Sequence, residues 1–168
     1  MTLRPLCGMA VAVVMLTAPP MMGTTPLLVW NASPSVPRGL YAVGRVPPKV
    51  GDLVLIRLPV RLAALAARRG YLPRAAVLIK PVVALAGDTV CRRGVRISVR
   101  GKLAARAHSA DAAGRPLPSW HGCRTLQRGE VFLLSDHADG FDSRYFSALP
   151  VRSIVGHAIS IWPITLPK

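Results

Sequence analysis

The chain has 168 residues, with 22 Lys or Arg against 7 Asp or Glu, and its formal net charge is +15. A hydrophobic content of 51% excludes a disordered chain, and the length allows one domain with a sizeable core plus a terminal segment. The positive charge is compatible with an anionic membrane surface or with nucleic acid as a partner. Because the basic residues are scattered and only 5% of residues are aromatic, the sequence predicts no specific nucleic-acid binding.

The N-terminus is apolar and carries no charged residue between Arg4 and Arg38. Residues 6–16 are almost continuously apolar, and the uncharged stretch is longer than the roughly 20 residues that a membrane-spanning helix requires. Pro19 and Pro20 are expected to kink or end such a helix.

Three interpretations of this start compete: a kinked membrane anchor, a cleaved signal peptide, and a misassigned start upstream of a signal-anchor. We favour an uncleaved anchor over residues 1–29. Arg4 and the amino terminus place the short side in the cytoplasm, so residues 30–168 are expected on the outer side of the membrane.

Two serines lie on a stiff segment directly after the apolar start. Ser33 and Ser35 are separated by Pro34 and followed by Pro37 and Gly39. Each proline fixes its own φ and biases the preceding residue toward extended backbone. A nucleophile requires such a rigid mount, because small misplacements cost large factors in rate. Taken alone, the stretch favours a Ser/Pro/Gly linker that leaves a membrane, and the catalytic interpretation depends on other parts of the chain.

The body that follows is predicted to be all-β, with one short helix. Apolar runs bounded by turn residues predict four strands, at residues 40–43, 53–58, 130–136 and 154–162, the last of which closes the sheet. Apolar residues at helical spacing over 61–69 predict a helix that ends at Gly70, which we interpret as an insertion or lid rather than as core.

The middle of the body predicts one hairpin and one loop. Residues 89–101 read as a hairpin whose turn contains Arg92, Arg93 and Gly94, with Val95, Ile97 and Val99 on one face. Residues 102–118 are polar and without a clear period, and they predict a loop.

One lysine stands inside an otherwise apolar run. Lys80 lies in the middle of residues 75–88, where a surface strand would alternate and this run does not. A buried lysine loses its charge readily because desolvation favours the neutral amine, which makes Lys80 a candidate general base. The alternative is an edge-strand lysine that prevents aggregation or extends its amine to water.

The body contains two cysteines, Cys91 and Cys123. They form a disulfide, remain as two free thiols, or bind a metal together with His121. A disulfide is expected if the domain is exported, and zinc is disfavoured because Cys91 has no second ligand at short spacing. The histidines show neither metal spacing nor a partner for a Ser-His-Asp triad, and no metal or other cofactor is expected.

Three ordered segments resemble the S26 family of signal peptidases, and most of all its branch of TraF-type pilin-processing peptidases from conjugative transfer. They are Asn31-x-Ser33-x-Ser35-x-Pro37-x-Gly39-x-Tyr41, then Ile79-Lys80 with Ala86-Gly87-Asp88-x-Val90, then Phe141-Asp142-Ser143-Arg144-Tyr145-Phe146. Each motif alone is weak, whereas the ordered set behind an apolar N-terminus is specific.

The resemblance implies a membrane-anchored Ser-Lys endopeptidase with a mainly antiparallel, signal-peptidase-like β-domain. It further implies a single-pass protein of the inner membrane, in contact with its lipid, whose catalytic domain faces the periplasm. The implied partners are precursor proteins, pilin-like or secreted, from which it removes signal or leader peptides. By position in the motifs, the implied roles are nucleophile for Ser35, general base for Lys80, oxyanion donor for Ser33, supporting pair for Asp142 and Arg144, and disulfide for Cys91 and Cys123.

The sequence departs from the family pattern at three positions. Pro81 follows Lys80 where many general signal peptidases carry Arg, and Ser147 stands where this branch often has Gly. Gly140 replaces a Ser that in leader peptidases helps to orient the lysine, and Ser143 or Ser135 is a candidate substitute.

Three other functions compete with a dedicated pilin-processing enzyme. A general type I signal peptidase has the same chemistry, but the short body and the Asn-x-Ser-x-Ser start favour the dedicated type. An autoproteolytic repressor-type Ser-Lys protein should begin with a DNA-binding helical domain, whereas residues 1–30 are apolar. A non-enzymatic, membrane-tethered basic β-domain leaves the lysine in the apolar run unexplained.

Overall fold

A computed structural model of the chain describes residues 27–164. Within that range the chain is mainly β, as predicted, and its strands in chain order are β1 (Leu28–Asn31), β2 (Arg38–Gly44), β3 (Leu53–Arg57), β4 (Val77–Ala84), β5 (Thr89–Arg93), β6 (Arg96–Val99), β7 (Lys102–Arg106), β8 (Gly122–Thr125), β9 (Glu130–Leu133), β10 (Leu149–Pro150) and β11 (Ile154–Ile164). The helical segments are Val60–Arg68, Ser143–Phe146 and the 3-10 turn Val151–Ser153.

Seven strands form one antiparallel sheet in the order β1-β2-β11-β3-β4-β9-β10. The last strand, β11, lies inside this sheet, where it pairs with β3 through its first residues and with β2 through the rest. Strand β11 therefore connects β1 and β2, which follow the N-terminus, to β3 and β4, the second of which carries Lys80.

The other four strands form a smaller antiparallel sheet in the order β7-β6-β5-β8. Two predictions in this region were wrong. Residues 102–118 were expected to be a loop, but Lys102–Arg106 is strand β7, an edge strand whose mostly exposed side chains give no apolar alternation. The hairpin turn lies later than expected, because Arg92 is buried inside β5 and Val95 lies between the strands.

Three clusters of buried apolar side chains hold these layers together. The Val60–Arg68 helix packs through Leu62, Ala63 and Ala66 onto a cluster formed by β3, β4 and β9. Our interpretation of this helix as a lid was therefore wrong, since Ala66 is buried and the partly buried Leu62 and Ala63 pack against the sheet, as the apolar stripe of a core helix does. The small sheet packs on β4 and β9 through a second cluster, and the third lies under β2, β3 and β11.

The predicted membrane anchor falls almost entirely on residues 1–26, outside the described part of the chain. Leu28 and Val29, the last positions assigned to it, belong to β1 and pair with β2, so the β-domain begins before residue 30. No helix within residues 27–164 has the length and apolar character needed to cross a bilayer.

Candidate active site

The serine segment is organised by the amide of Asn31, the last residue of β1. Its Nδ2 donates to the carbonyl oxygens of Ser33, Val36 and Pro37 at 2.9, 3.1 and 3.1 Å, and its Oδ1 accepts the backbone N–H of Ser33 at 3.1 Å. Three carbonyl partners fix which side of the amide carries nitrogen. The loop is thus tied at both ends to one buried side chain, which supplies the rigid mount that its prolines predict.

The two serine hydroxyls are hydrogen-bonded to each other, with Oγ atoms 2.9 Å apart. Ser33 Oγ also lies 3.0 Å from Asn31 Oδ1, which can only accept. Because a hydroxyl has a single proton, Ser33 donates to Asn31 and Ser35 donates to Ser33. The chain of hydrogen bonds therefore holds the Ser35 proton on the Ser33 side in this structure.

Lys80 is buried on an interior strand. It is 2% exposed, and β4 lies between β3 and β9, with Lys80 directly opposite Val54. The alternative of an edge-strand lysine is therefore wrong. Burial lowers the pKa of the Lys80 amine, the negative charge of Asp142 raises it, and the positive charge of Arg144 lowers it, with burial the largest of the three effects.

The segments that carry Ser35 and Lys80 meet in the core. Val36, directly after Ser35, and Ile79, directly before Lys80, belong to the same buried cluster, together with Tyr41. Among residues 27–164, no hydrogen bond joins the Lys80 amine to Ser35. Catalytic hydrogen bonds often tighten only when substrate is bound, so this geometry is that of a site at rest.

Asp142 and Arg144 form a fully buried ion pair beside the lysine. Arg144 donates from Nε to Asp142 Oδ1 at 2.8 Å and from Nη2 to Oδ2 at 3.0 Å. Its remaining donors reach the carbonyl oxygens of Ser135 at 2.6 Å and Ala138 at 2.7 Å. The pair thus ties the β9 end to the Ser143–Phe146 helix, and its two charges act on Lys80 with opposite signs.

The structure distinguishes the two candidates for the hydroxyl that Gly140 lacks. Ser143 Oγ accepts the backbone N–H of Leu133 at 3.0 Å and so is occupied in the sheet. Ser135 Oγ instead donates to Asp142 Oδ2 at 3.1 Å. A Cβ added at Gly140 would overlap Ser135 Oγ and lie 2.8 Å from Asp142 Oδ2. Ser135 therefore fills the space that a side chain at position 140 would need.

Three residues of this region were not predicted as site residues. Asn31 was noticed only as part of a motif, and its two-residue spacing from Ser33 was the signal for a turn that the amide closes. Arg92, predicted in a turn, is buried and donates to the carbonyl oxygen of Arg144 at 2.6 Å. Ser135 was named only as one of two candidates. Arg92 carries no sequence signal, because it acts on Arg144, which lies 52 residues further along the chain.

Ser147 and the cysteines complete the account of the predicted positions. Ser147 has a φ of 62°, a region that favours glycine, which gives a physical reason for the Gly that this branch often has there. Cys91 and Cys123 are bonded to each other and lie directly opposite on β5 and β8. This pairing confirms the disulfide over the alternatives of free thiols and a metal site.

The structure thus combines a mainly antiparallel β-domain with two neighbouring serines, of which Ser33 is exposed and Ser35 half-buried, and a buried lysine on which two opposite charges act. A family model described as "Signal peptidase, peptidase S26" matches residues 2–163. The chain belongs to the signal peptidase S26 family of peptidases, as its motifs indicated.

Its curated relatives are proteins of conjugal transfer. The chain is 38% identical to the probable conjugal transfer protein TraF of Sinorhizobium fredii over 139 residues, which cover 76% of this chain and 73% of that protein. It is 36% identical to the conjugal transfer protein TraF of Agrobacterium tumefaciens over 164 residues, which cover 91% and 90%. It is 34% identical to the plasmid transfer protein TraF of Escherichia coli over 131 residues, which cover 71% and 73%.

Among solved structures, a signal peptidase I from Enterococcus faecalis matches with a TM-score of 0.40 and 18% identity, covering 68% of this chain and 98% of that one.

Proposed function

We propose that this protein is a Ser-Lys endopeptidase that removes signal or leader peptides from exported precursors, including pilin-like subunits of a conjugative transfer system. Ser35 attacks the scissile carbonyl, and Lys80 takes the Ser35 proton. Ser33 and the backbone N–H of Ser35 stabilise the oxyanion that develops on the substrate carbonyl.

The burial of Lys80 carries this proposal. A lysine that is 2% exposed on an interior strand is costly to keep charged, and burial lowers its pKa. A lowered pKa raises the fraction of free amine at a given pH, and only the free amine accepts a proton. The charges of Asp142 and Arg144 act on the pKa of the same amine with opposite signs, so a change in this pair should alter the Lys80 pKa.

The hydrogen-bonded serines define what must change when substrate binds. Ser35 donates to Ser33 at rest, so its hydroxyl has to turn from Ser33 toward the Lys80 amine before attack. Ser33 in turn has to release Asn31 if its own proton is to reach the oxyanion. The tetrahedral intermediate collapses as the Lys80 ammonium gives its proton to the leaving amine, which leaves an acyl ester on Ser35. Lys80 then takes a proton from the water molecule that attacks this ester and returns it to the Ser35 oxygen when the acid product leaves.

The assignment to conjugative transfer rests on the relatives, whose names place them in conjugal or plasmid transfer. A dedicated processing enzyme is favoured over a general signal peptidase by this likeness across most of the chain. Which precursor is cleaved decides between the two.

An exposed apolar face supports attachment to a membrane. The strand register aligns Leu28 with Ala42 and Ile159, and Trp30 with Leu40 and Trp162, in two rows across β1, β2 and β11. Both tryptophans are more than half exposed. Tryptophan is enriched where protein meets the interface of a bilayer, and the uncharged N-terminus leads directly into β1. The disulfide supports an oxidising compartment, so we place the domain on the periplasmic side of the inner membrane.

Cleavage of a candidate pilin precursor by membrane-inserted protein tests the dyad. Ser35→Ala and Lys80→Ala are each expected to abolish cleavage, and the double variant is expected to be no worse, because the two residues act as a unit. Loss of the base alone removes about 10²–10⁴-fold in rate. Lys102→Ala and Ser109→Ala, at exposed positions, are matched controls that should cleave normally. Near-normal cleavage by folded Lys80→Ala protein would exclude Lys80 as the general base and contradict the Ser-Lys mechanism.

The pH dependence provides a second measurement on the same protein. Because the Lys80 pKa is lowered from 10.5, the free amine becomes available below that pH, and activity should rise with pH through the lowered pKa and fade in acid. The lysine also makes stability depend on pH. Above its folded pKa the unfolded chain binds the extra proton, so stability should increase with pH up to about 10.5. Two results would contradict the role of Lys80 as general base. They are a wild type whose activity and stability do not rise with pH in this range, and a Lys80→Ala variant whose stability still does.

A further inference from the structure

The outer face of the four-stranded sheet carries three arginines in one row. The register places Arg93 of β5 opposite Arg96 of β6, and Arg96 opposite Arg106 of β7. All three residues are exposed. Directly opposite residues on antiparallel strands point to the same face, with Cβ atoms about 4.5–5.5 Å apart. This arginine row therefore presents three guanidinium groups side by side.

No carboxylate of the described chain compensates the arginine row. The ion pairs within residues 27–164 use six of the chain's seven carboxylates, those of Asp52, Asp88, Asp111, Glu130, Asp139 and Asp142, and none includes an arginine of the row. No guanidinium group of the row donates a hydrogen bond to another described residue. Arg106 is contacted only at its backbone, where its carbonyl oxygen accepts Arg144 Nη1 at 3.4 Å. The seventh carboxylate belongs to Asp136, which is exposed.

Two arginines of the row line an open depression of about 350 Å³. Its other walls are a mixture of apolar and small polar groups, from Cys91, Ser98, Gly101 and Leu103. Ser98 and Cys91 are themselves opposite each other, in the next row of the sheet, and Cys91 is bonded across to β8. The depression is therefore lined on one side by a disulfide-bonded cysteine and on the other by two positively charged arginines.

An uncompensated row of like charges is costly. Like charges directly opposite each other on neighbouring strands destabilise a sheet, and the net charge of +15 adds to that repulsion. An anion bound along the row would relieve the cost. A second copy of this basic chain cannot supply the anion.

The location of the arginine row disfavours the membrane as its partner. The small sheet packs on β4 and β9, whereas the exposed apolar face lies on β1, β2 and β11. Strands β2 and β9 are separated by β11, β3 and β4, which corresponds to about 20 Å, and strands β11 and β4 are separated by β3 alone, which corresponds to about 10 Å. A domain that inserts its apolar face into a bilayer would therefore carry the arginine row on a different sheet, at least two strand spacings from the inserted face.

We propose that the arginine row and its depression bind an extended, acidic segment of a protein partner. Alternate side chains of an extended chain point to one side and are about 6.5 Å apart, a spacing that flexible arginines on neighbouring strands can reach. Each guanidinium can hold a carboxylate through two parallel hydrogen bonds. Leu103 and the disulfide contact the aliphatic parts of the segment. This surface extends beyond the proposed peptidase activity and does not depend on it.

Binding of a synthetic peptide with alternating Glu and Ser to the full-length protein, in nanodiscs of zwitterionic lipid, tests this surface. The control peptide has Gln in place of Glu, and binding is followed by fluorescence anisotropy at increasing salt. We expect the acidic peptide alone to bind, with an affinity that falls as salt rises. Arg96→Gln should weaken binding about two- to fivefold, and the triple Arg→Gln variant of the row about ten- to hundredfold. Arg61→Gln, an exposed arginine on the helix, should bind as wild type does.

Several outcomes would overturn the proposal. These are no binding of the acidic peptide, equal binding of the Gln peptide, or an affinity unchanged in the triple variant. Single-stranded DNA or anionic vesicles whose binding depends on the row, while peptide binding does not, would assign the surface to another partner. Melting and precursor cleavage are measured in parallel. Relief of repulsion predicts that Arg96→Gln melts no lower than wild type, and unchanged cleavage would separate this surface from the peptidase site.

Discussion

Two Asp–Arg pairs in this domain use the same chemistry in different surroundings. The side chains of Asp142 and Arg144 are 0% and 2% exposed, whereas those of Asp111 and Arg115 are 9% and 42% exposed. In both pairs the carboxylate accepts the arginine Nε at 2.7–2.8 Å and also accepts backbone N–H groups.

The pairs differ in what they hold together. Asp111 accepts the Tyr71 hydroxyl, and Arg115 Nη2 donates to the carbonyl oxygen of Arg69 at 3.2 Å, so this pair ties a surface loop to the end of the Val60–Arg68 helix. Asp142 and Arg144 are sealed from water and act on Lys80. A buried pair is stable only when its other donors and acceptors are satisfied, and removing one partner leaves an uncompensated charge. The buried pair is therefore the one on which fold and site both depend.

The largest effect is expected when the buried pair is broken. Asp142→Ala leaves Arg144 charged and buried, and it should lower the free energy of unfolding by about 3–5 kcal/mol. Denaturant unfolding of the variant measures this loss. Asp136→Ala, an exposed carboxylate nearby in the chain, is the control and should be close to neutral. A change below about 1 kcal/mol for Asp142→Ala would make the buried pair no more important than a surface pair.

A smaller effect is expected when the contacts around Asp142 are crowded. Gly140→Ser introduces a side chain into the space of Ser135 Oγ and should cost about 1–3 kcal/mol. Adding Ser135→Ala removes the overlapping atom and should restore part of that stability. Gly44→Ser is the matched control, because a Cβ there meets nothing within 4 Å. A double variant that is no more stable than Gly140→Ser alone would show that Ser135 does not fill this space.

The smallest effect on global stability is expected at the surface pair. Asp111→Ala should mainly speed amide hydrogen exchange in the loop, at Ala113 and Arg115, whose N–H groups donate to the Asp111 carboxylate. The hydrogen bond from Tyr71 is the main cause that lowers the Asp111 pKa from 3.8, with Arg115 adding to it. The contribution of Asp111 is therefore present above about pH 3.8 and is lost as pH falls through its lower folded pKa. Loop exchange that is unchanged at neutral pH would contradict this role.

Local patterns predicted much of this domain. The apolar runs at 53–58 and 130–136 contain β3 and β9, and the spacing of Leu62 and Ala66 predicted a helix where one is found. The prolines beside Ser33 and Ser35 predicted a stiff mount. These features depend on neighbours in the chain, so a single sequence suffices for them. Strand β7 was missed for the same reason, because an edge strand with both faces near solvent has no apolar period to reveal it.

The candidate site was predicted in its residues but not in its connections. The motifs named Ser35, Lys80 and Asp142, and a lysine within an apolar run predicted burial. They did not predict that Asn31 would direct the serine hydroxyl protons. Nor did they predict that Arg92, on the four-stranded sheet, would donate a hydrogen bond to the carbonyl oxygen of Arg144. Those contacts join segments that are far apart in the chain, and their geometry follows from strand order.

The sequence by itself determined the family, the mainly β body and the stiff segment that carries the two serines, and it identified two body cysteines as candidates for a disulfide. These features follow from motifs, periodicity and proline geometry, which are local properties. Only the tertiary structure decided that β11 lies inside the sheet, that Ser135 occupies the space beside Gly140, and that Arg93, Arg96 and Arg106 form one row. In the sequence these arginines look scattered. Antiparallel register brings them together because it pairs residues by their position across strands, which no local pattern along the chain records.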